Sequence, residues 1–162
     1  MISELTKEGI NGSPNIPGDK SISHRSIIIP SISKGVCEVN NILRSEDVLH
    51  TMNAFKSMGV KIIESNKKLI VYGNGLNSLK KANEPIYLGN SGTSARLLTG
   101  LLASQNFISV LTGDDSLSKR PMKRISIPLT KMKANIETTN GSLPITIKGN
   151  DLMPCDINLK IP

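Results

Sequence analysis

The order of apolar and turn-forming residues predicts an α/β (α+β) chain that builds one βαβαββ unit twice. Three observations carry this prediction. Runs with strand and helix periodicity alternate along the chain, separated by glycine and polar turns. Matching residues recur at a nearly constant distance: at an offset of 71, Ser23 falls on Ser94, Arg25 on Arg96, Ser33 on Ser104 and Val39 on Val110. At an offset of 74, Met58 falls on Met132 and Ile62 on Ile136, and at 76, Gly73-Asn74 falls on Gly149-Asn150, the drift belonging to loops. Each copy also carries a polar, serine-rich helix start with an arginine one turn in. An ordered series of such matches is the mark of an internal repeat.

The elements follow in order. Residues 1–15 are polar and turn-rich and read as an extended arm. Lys20 to Ile32 reads as a helix ended by Lys34-Gly35, with Pro30 in its last turn. Val36-Cys37-Glu38-Val39 alternates as a strand. Ser45-Glu46-Asp47 starts a second helix with Val48, Leu49, Met52, Phe55 and Met58 on one face, stopped by Gly59. Val60–Glu64 and Leu69–Tyr72 form a hairpin about Ser65-Asn66-Lys67. The second copy opens with the strand Ile86-Tyr87-Leu88, and Gly89-Asn90-Ser91-Gly92-Thr93 starts a helix to Ala103. Phe107–Leu111 is a strand. A helix from Pro121 to Met132 places Pro121 at its first position and Pro128 where it would kink or divide it. Ile136–Thr138 and Ile145–Ile147 make the closing hairpin. The expected division is an arm at 1–15, a first repeat at 16–83, a second at 84–150 and the start of a third at 151–162, where Ile157-Asn158-Leu159 falls on Ile86-Tyr87-Leu88. A third helix start would fall due at Pro162. The expectation is therefore a piece cut from a longer protein, or the product of a degraded gene.

Composition narrows the function classes. The 162 residues include two Phe, two Tyr and no Trp, so Ile, Leu, Val and Met must fill the core. The net charge of +7 favours anionic partners. The scarcity of aromatics argues against single-strand binding by base stacking, and no helix-turn-helix, RNP or zinc-finger pattern is present. Cys37 and Cys155 are far apart with no metal-ligand spacing, and His24 and His50 complete none; two reduced, buried or half-buried thiols are expected. No leader-like start and no run of about 18 apolar residues is visible, so a soluble, cytoplasmic protein is expected.

The chemistry concentrates in three basic stretches. Pro17-Gly18-Asp19-Lys20-Ser21-Ile22-Ser23-His24-Arg25 reads as an anion site. The first turn of a helix leaves N–H groups unpaired at the positive end of its dipole. Ser21 and Ser23 add hydroxyls, Lys20 a point charge, and Arg25 a fork suited to phosphate or carboxylate. Gly89-Asn90-Ser91-Gly92-Thr93-Ser94-Ala95-Arg96 is the second. Gly92 lets a ligand approach the backbone, Asn90 and Thr93 supply side-chain donors, and Arg96 supplies charge. It is neither a Walker A loop nor a dinucleotide fingerprint. Lys119-Arg120-Pro121-Met122-Lys123-Arg124 is the third, with four cations opposing a helix dipole unless an anion offsets them. Within it, Lys123 and Arg124 read equally well as a solvated basic face. Asp19, Asp114 and Asp115 have simpler roles as helix-start or turn residues. These residues point to small ligands bearing several phosphates and carboxylates.

Pro-Gly-Asp-Lys20-Ser21-Ile-Ser-His-Arg25, Gly-Asn90-Ser-Gly92-Thr93-Ser-Ala-Arg96-Leu-Leu and Lys-Arg120-Pro-Met, in this order and spacing, closely resemble the 5-enolpyruvylshikimate-3-phosphate synthases (3-phosphoshikimate 1-carboxyvinyltransferases). The resemblance implies two domains of three βαβαββ repeats each, an inside-out α/β barrel, of which this chain holds about two repeats of six. It implies transfer of the carboxyvinyl group of phosphoenolpyruvate to the 5-hydroxyl of shikimate 3-phosphate, with release of phosphate, in the shikimate pathway to chorismate and the aromatic amino acids. It implies no metal and no cofactor, and a monomeric full-length enzyme with neither nucleic-acid nor membrane partners. By motif it assigns Lys20, Ser21 and Arg25 to shikimate 3-phosphate, and Lys20, Asn90, Gly92, Thr93, Arg96 and Arg120 to phosphoenolpyruvate.

The resemblance also implies what is missing. Its members are more than twice as long, and their second domain supplies the carboxylates and lysine that move protons. No catalytic residue is identifiable here, and the chain by itself is expected not to turn over. The alternatives are an inactive remnant or a non-catalytic polyanion-binding module. The related enzymes acting on UDP-N-acetylglucosamine fit less well, because Ser21-Ile22-Ser23 follows Lys20 and no cysteine lies near Arg120.

Overall fold

A computed structural model describes residues 12–65 and 68–158. The first copy of the repeat comprises α1 (Lys20–Ile32), β1 (Lys34–Asn40), α2 (Glu46–Ser57), β2 (Lys61–Ser65) and β3 (Lys68–Asn74), followed by a 3₁₀ turn at Leu76–Ser78. The second comprises β4 (Ile86–Tyr87), α3 (Gly92–Ala103), β5 (Ile108–Thr112), α4 (Asp115–Ser118), α5 (Lys123–Lys131), β6 (Asn135–Thr139) and β7 (Ser142–Lys148).

The two sheets repeat one topology, β1-β3-β2 and β4-β5-β7-β6. β3 lies antiparallel between β1 and β2, with Cys37 opposite Val71 and Ile62 opposite Val71. β7 lies antiparallel between β5 and β6, with Ser109 and Ile136 opposite Ile147. The second sheet adds β4, parallel to β5.

The first copy has no counterpart of β4 among the described residues, and the sequence supplies the reason. Leu88 N–H donates to Thr112 O at 2.9 Å, continuing the β4–β5 ladder. At the offset of 71, Leu88 corresponds to Pro17 and Thr112 to Asn41. Proline has no N–H to give, so the ladder cannot form there. The backbone at Gly18 instead passes so close to the Asn41 carbonyl that a Cβ there would overlap it, and Ile16 stays exposed. The predicted arm at 1–15 lies outside the described residues except for 12–15, which form no regular element.

α2 is the spine of the molecule. It packs against α1, α3 and β4. Val48, Met52 and Phe55 on its inner face, with Met58 just after it, join one core with Ile27 of α1 and Leu98 and Leu102 of α3. Leu49 of the predicted face is only partly buried.

Four expectations are corrected. Pro121 does not open α5, which begins at Lys123 with Met122 in the capping position. A four-residue helix, α4, lies before it, its first turn capped by Asp114, whose carboxylate accepts the Leu117 N–H at 2.7 Å. Pro128 neither divides nor ends α5, which runs on to Lys131. Residues 149–158 form no strand, because none of the described residues offers Ile157 and Asn158 a partner; Leu159 lies outside them. Cys37 is half-buried as expected, but Cys155, in the same unpaired segment, is exposed.

Candidate functional site

The first turn of α1 is set by Asp19, whose carboxylate accepts the Ile22 N–H at 2.7 Å. Lys20, Ser21 and Arg25 project from this end and are exposed. Lys20 is not a free cation: its Nζ donates to Asp47 Oδ2 at 2.9 Å, across to the start of α2. An exposed pair of this kind is weak and salt-sensitive, so it orients Lys20 without removing it from use. Ser23, read from sequence as a further anion donor, is instead buried, and its Oγ accepts the Leu43 N–H at 3.0 Å. It ties α1 to the loop before α2.

The start of α3 gathers the other residues. Ser91 caps it, accepting the Ser94 N–H at 3.2 Å. Arg96 folds back along the helix, donating from Nη1 to Gly92 O at 3.1 Å and from Nη2 to Pro121 O at 3.2 Å. Arg120 reaches the same place from another element. The β4–β5 pairing sets Gly89 beside Asp114, whose N–H donates to Gly89 O at 2.9 Å. The chain then turns through α4, anchored by the buried Leu117, and returns so that Arg120 donates to Asn90 Oδ1.

Gly92 is the floor of this cluster. A Cβ there would lie 2.7 Å from Arg96 Nη1 and 3.1 Å from Arg120 Nη1, so both guanidiniums border the bare backbone. Among the described residues neither arginine has a carboxylate partner. Two uncompensated guanidiniums at the positive end of a helix repel one another, and an anion relieves that repulsion. Thr93, half-buried, occupies the second position of the same turn.

The third basic stretch therefore divides. Arg120 joins Asn90, Gly92 and Arg96, whereas the Lys123 alkyl chain lies against Gly141 in the β6–β7 turn and Arg124 is exposed. Composition alone did not separate these cations; the backbone between Leu117 and Met122 does.

Asp47, Thr51 and His24, which sequence reasoning did not select for the site, link its two parts. His24 Nδ1 lies 2.8 Å from Thr51 Oγ1, and Thr51 Oγ1 lies 2.6 Å from Ser94 Oγ. Asp47 and Thr51 are spaced one turn apart on α2, which is the only sequence signal that they share a face. Burial lowers the pKa of His24 below its ordinary 6.5, and Lys20 acts in the same direction against the opposing charge of Asp47. Below about pH 6.5 the unfolded chain therefore binds a proton at His24 more readily than the folded chain does. Stability is expected to be flat above that pH and to fall below it. Thermal melts at about pH 5 and pH 7 test this: the drop should shrink in His24→Asn, and an identical drop would assign it to other groups.

Comparison with known proteins places the chain in a family. Residues 6–162 match the profile of EPSP synthase (3-phosphoshikimate 1-carboxyvinyltransferase). The chain is 54% identical over 144 residues to the 3-phosphoshikimate 1-carboxyvinyltransferase of Ruthia magnifica subsp. Calyptogena magnifica, a match covering 89% of this chain and 33% of that protein. It is 50% identical over 157 residues to that of Streptococcus gordonii, covering 95% of this chain and 37% of the relative. The fold superposes on an EPSP synthase from Acinetobacter baumannii with a TM-score of 0.89 at 45% identity, covering 93% of this chain and 35% of that one. The chain thus spans about a third of the length of the relatives it matches.

Proposed function

The chain belongs to the EPSP synthase family, and on that premise we propose that it supplies the substrate-binding helix starts for carboxyvinyl transfer from phosphoenolpyruvate to the 5-hydroxyl of shikimate 3-phosphate, with release of phosphate. Lys20, Ser21 and Arg25 at the start of α1 hold shikimate 3-phosphate. Asn90, Gly92, Thr93, Arg96 and Arg120, with Lys20, hold phosphoenolpyruvate. The observation that carries this reading is the convergence of Arg96 and Arg120 on the bare backbone of Gly92 with no carboxylate of their own.

The physical task fits these parts. Both substrates carry phosphate and carboxylate groups and repel each other in water. Converging cations and helix N-termini offset that repulsion and hold the reacting atoms close. They stabilise charge but move no proton, so the acid–base groups belong to the part of the enzyme that relatives carry beyond the matched third. In this reading residues 16–83 and 84–150 are two repeats, and 151–162 leads into a third. The setting is cytoplasmic, the full enzyme is monomeric, and its partners are these small molecules rather than nucleic acid or membrane; none of the described helices is long and apolar enough to cross one.

The test is to join this chain to the remaining two-thirds of the Ruthia magnifica relative and assay phosphate. Release that requires both substrates together is expected. A folded hybrid that binds phosphoenolpyruvate but releases no phosphate would favour a polyanion-binding module.

A further inference from the structure

Four buried side chains form one hydrogen-bonded line across three helices. His24 of α1 meets Thr51 of α2 at 2.8 Å, Thr51 meets Ser94 of α3 at 2.6 Å, and Ser94 Oγ meets Ser91 Oγ, the cap of α3, at 2.6 Å. All four residues are fully inaccessible to solvent. At the head of the line, His24 Nε2 is buried and has no partner among the described residues.

That unpartnered nitrogen decides where the ring proton sits. Each hydroxyl donates one proton and accepts on two lone pairs, so Thr51 Oγ1 can receive His24 and Ser94 together. A proton on Nε2 would leave a buried N–H with no acceptor. A proton on Nδ1 leaves only an unfilled lone pair, the lesser penalty. His24 then donates to Thr51, and every remaining proton finds an acceptor when Ser91 donates to Ser94, Ser94 to Thr51 and Thr51 to Asp47 O at 3.3 Å. The opposite order, Thr51 to Ser94 to Ser91, leaves the buried Ser91 hydroxyl proton without an acceptor among the described residues. Ser91 Oγ accepts the Ser94 N–H and donates to Ser94 Oγ, so the cap is held at two points.

We propose that His24 is a positioning residue: as the Nδ1–H tautomer it holds Thr51 Oγ1, which in turn receives Ser94, and so pins the first turn of α3, with Gly92 and Arg96, at a fixed register against α1. The line ties the start of one repeat to the start of the other through the same helix, α2, whose Asp47 holds Lys20. A Leu at position 24 fills the space without donating. An Asn presents an amide N–H close to where Nδ1–H stands. The consequence for ligand binding rests on the reading of α3 as the phosphoenolpyruvate site.

Two measurements on this chain decide it. Long-range ¹H–¹⁵N spectra at neutral pH are expected to show the His24 proton on Nδ1; a proton on Nε2 overturns the proposal. Calorimetric titration with phosphoenolpyruvate is expected to show roughly fivefold weaker binding in His24→Leu and in Thr51→Val, the loss of about one buried hydrogen bond, with His24→Asn close to the parent. Parent-like affinity in folded His24→Leu and Thr51→Val overturns the proposal and leaves the anion site standing. If the parent itself does not bind, the anion site falls. The proposal is then decided by the ring spectrum and by hydrogen exchange at the Ser94 amide, which Thr51→Val is expected to accelerate and which unchanged exchange would contradict.

Discussion

Replacing Arg120 with alanine is expected to weaken phosphoenolpyruvate binding roughly 10- to 100-fold, the loss of one or two charge-assisted hydrogen bonds. Arg120 borders Gly92 together with Arg96, and its partner among the described residues is the neutral Asn90. Its full charge is therefore available to a ligand. Arg120→Lys should recover only part of the affinity, because an ammonium cannot present two parallel donors to a carboxylate or phosphate. Lys123→Ala is the control. It removes the same formal charge three residues on, but that side chain lies over Gly141, and its loss should leave affinity within about twofold, as screening of an exposed charge suggests. Calorimetric titration of the three variants checks the set; equal losses in Arg120→Ala and Lys123→Ala would mean that only net charge matters.

Gly149→Ala and Gly73→Ala are each expected to destabilise the fold by about 3 kcal/mol or more, at the upper end for overpacking. The two glycines occupy matching places in the two repeats. A Cβ on Gly73 would overlap the carbonyls of Pro30 and Ser33, where α1 ends, and one on Gly149 would overlap the Gln105 carbonyl just past the end of α3. These are backbone atoms, so relief requires unwinding the helix end or shifting the strand. Gly100→Ala is the contrasting case. Gly100 lies inside α3 and a Cβ there meets nothing within 4 Å, so this change should stabilise by up to about 1 kcal/mol through helix propensity. Urea denaturation of the three variants separates close approach from composition. A neutral Gly149→Ala would contradict the packing described.

The repeat was legible because its landmarks are local. Asp19 before α1, the apolar face of α2 and the Gly73 and Gly149 pair each act through neighbours in sequence or through a sharp steric limit. What escaped depends on tertiary approach or on very short elements. α4 has only four residues and no room for a periodic pattern. The missing strand of the first repeat turns on Pro17, whose meaning appears only when it is set against Leu88 and its bond to Thr112. Ser23 has the same type and place as Ser94, yet one ties a loop and the other continues a buried line to Thr51. At the site, helix starts and cations could be read from spacing. The motif resemblance already singled out Arg120 rather than Lys123, but its approach to Gly92 and Asn90, and the bonds that join residues 24, 51 and 94, required the fold.

The most direct test of the central claim, that the two helix starts form one polyanion site, is a ¹H–¹⁵N correlation spectrum of the ¹⁵N-labelled chain titrated with phosphoenolpyruvate. The account predicts saturable shifts at Asn90, Gly92, Thr93, Arg96 and Arg120, reaching Lys20 and Ser21 through α2. Shifts confined to Lys123 and Arg124, or scattered without saturation over the basic surface, would contradict it.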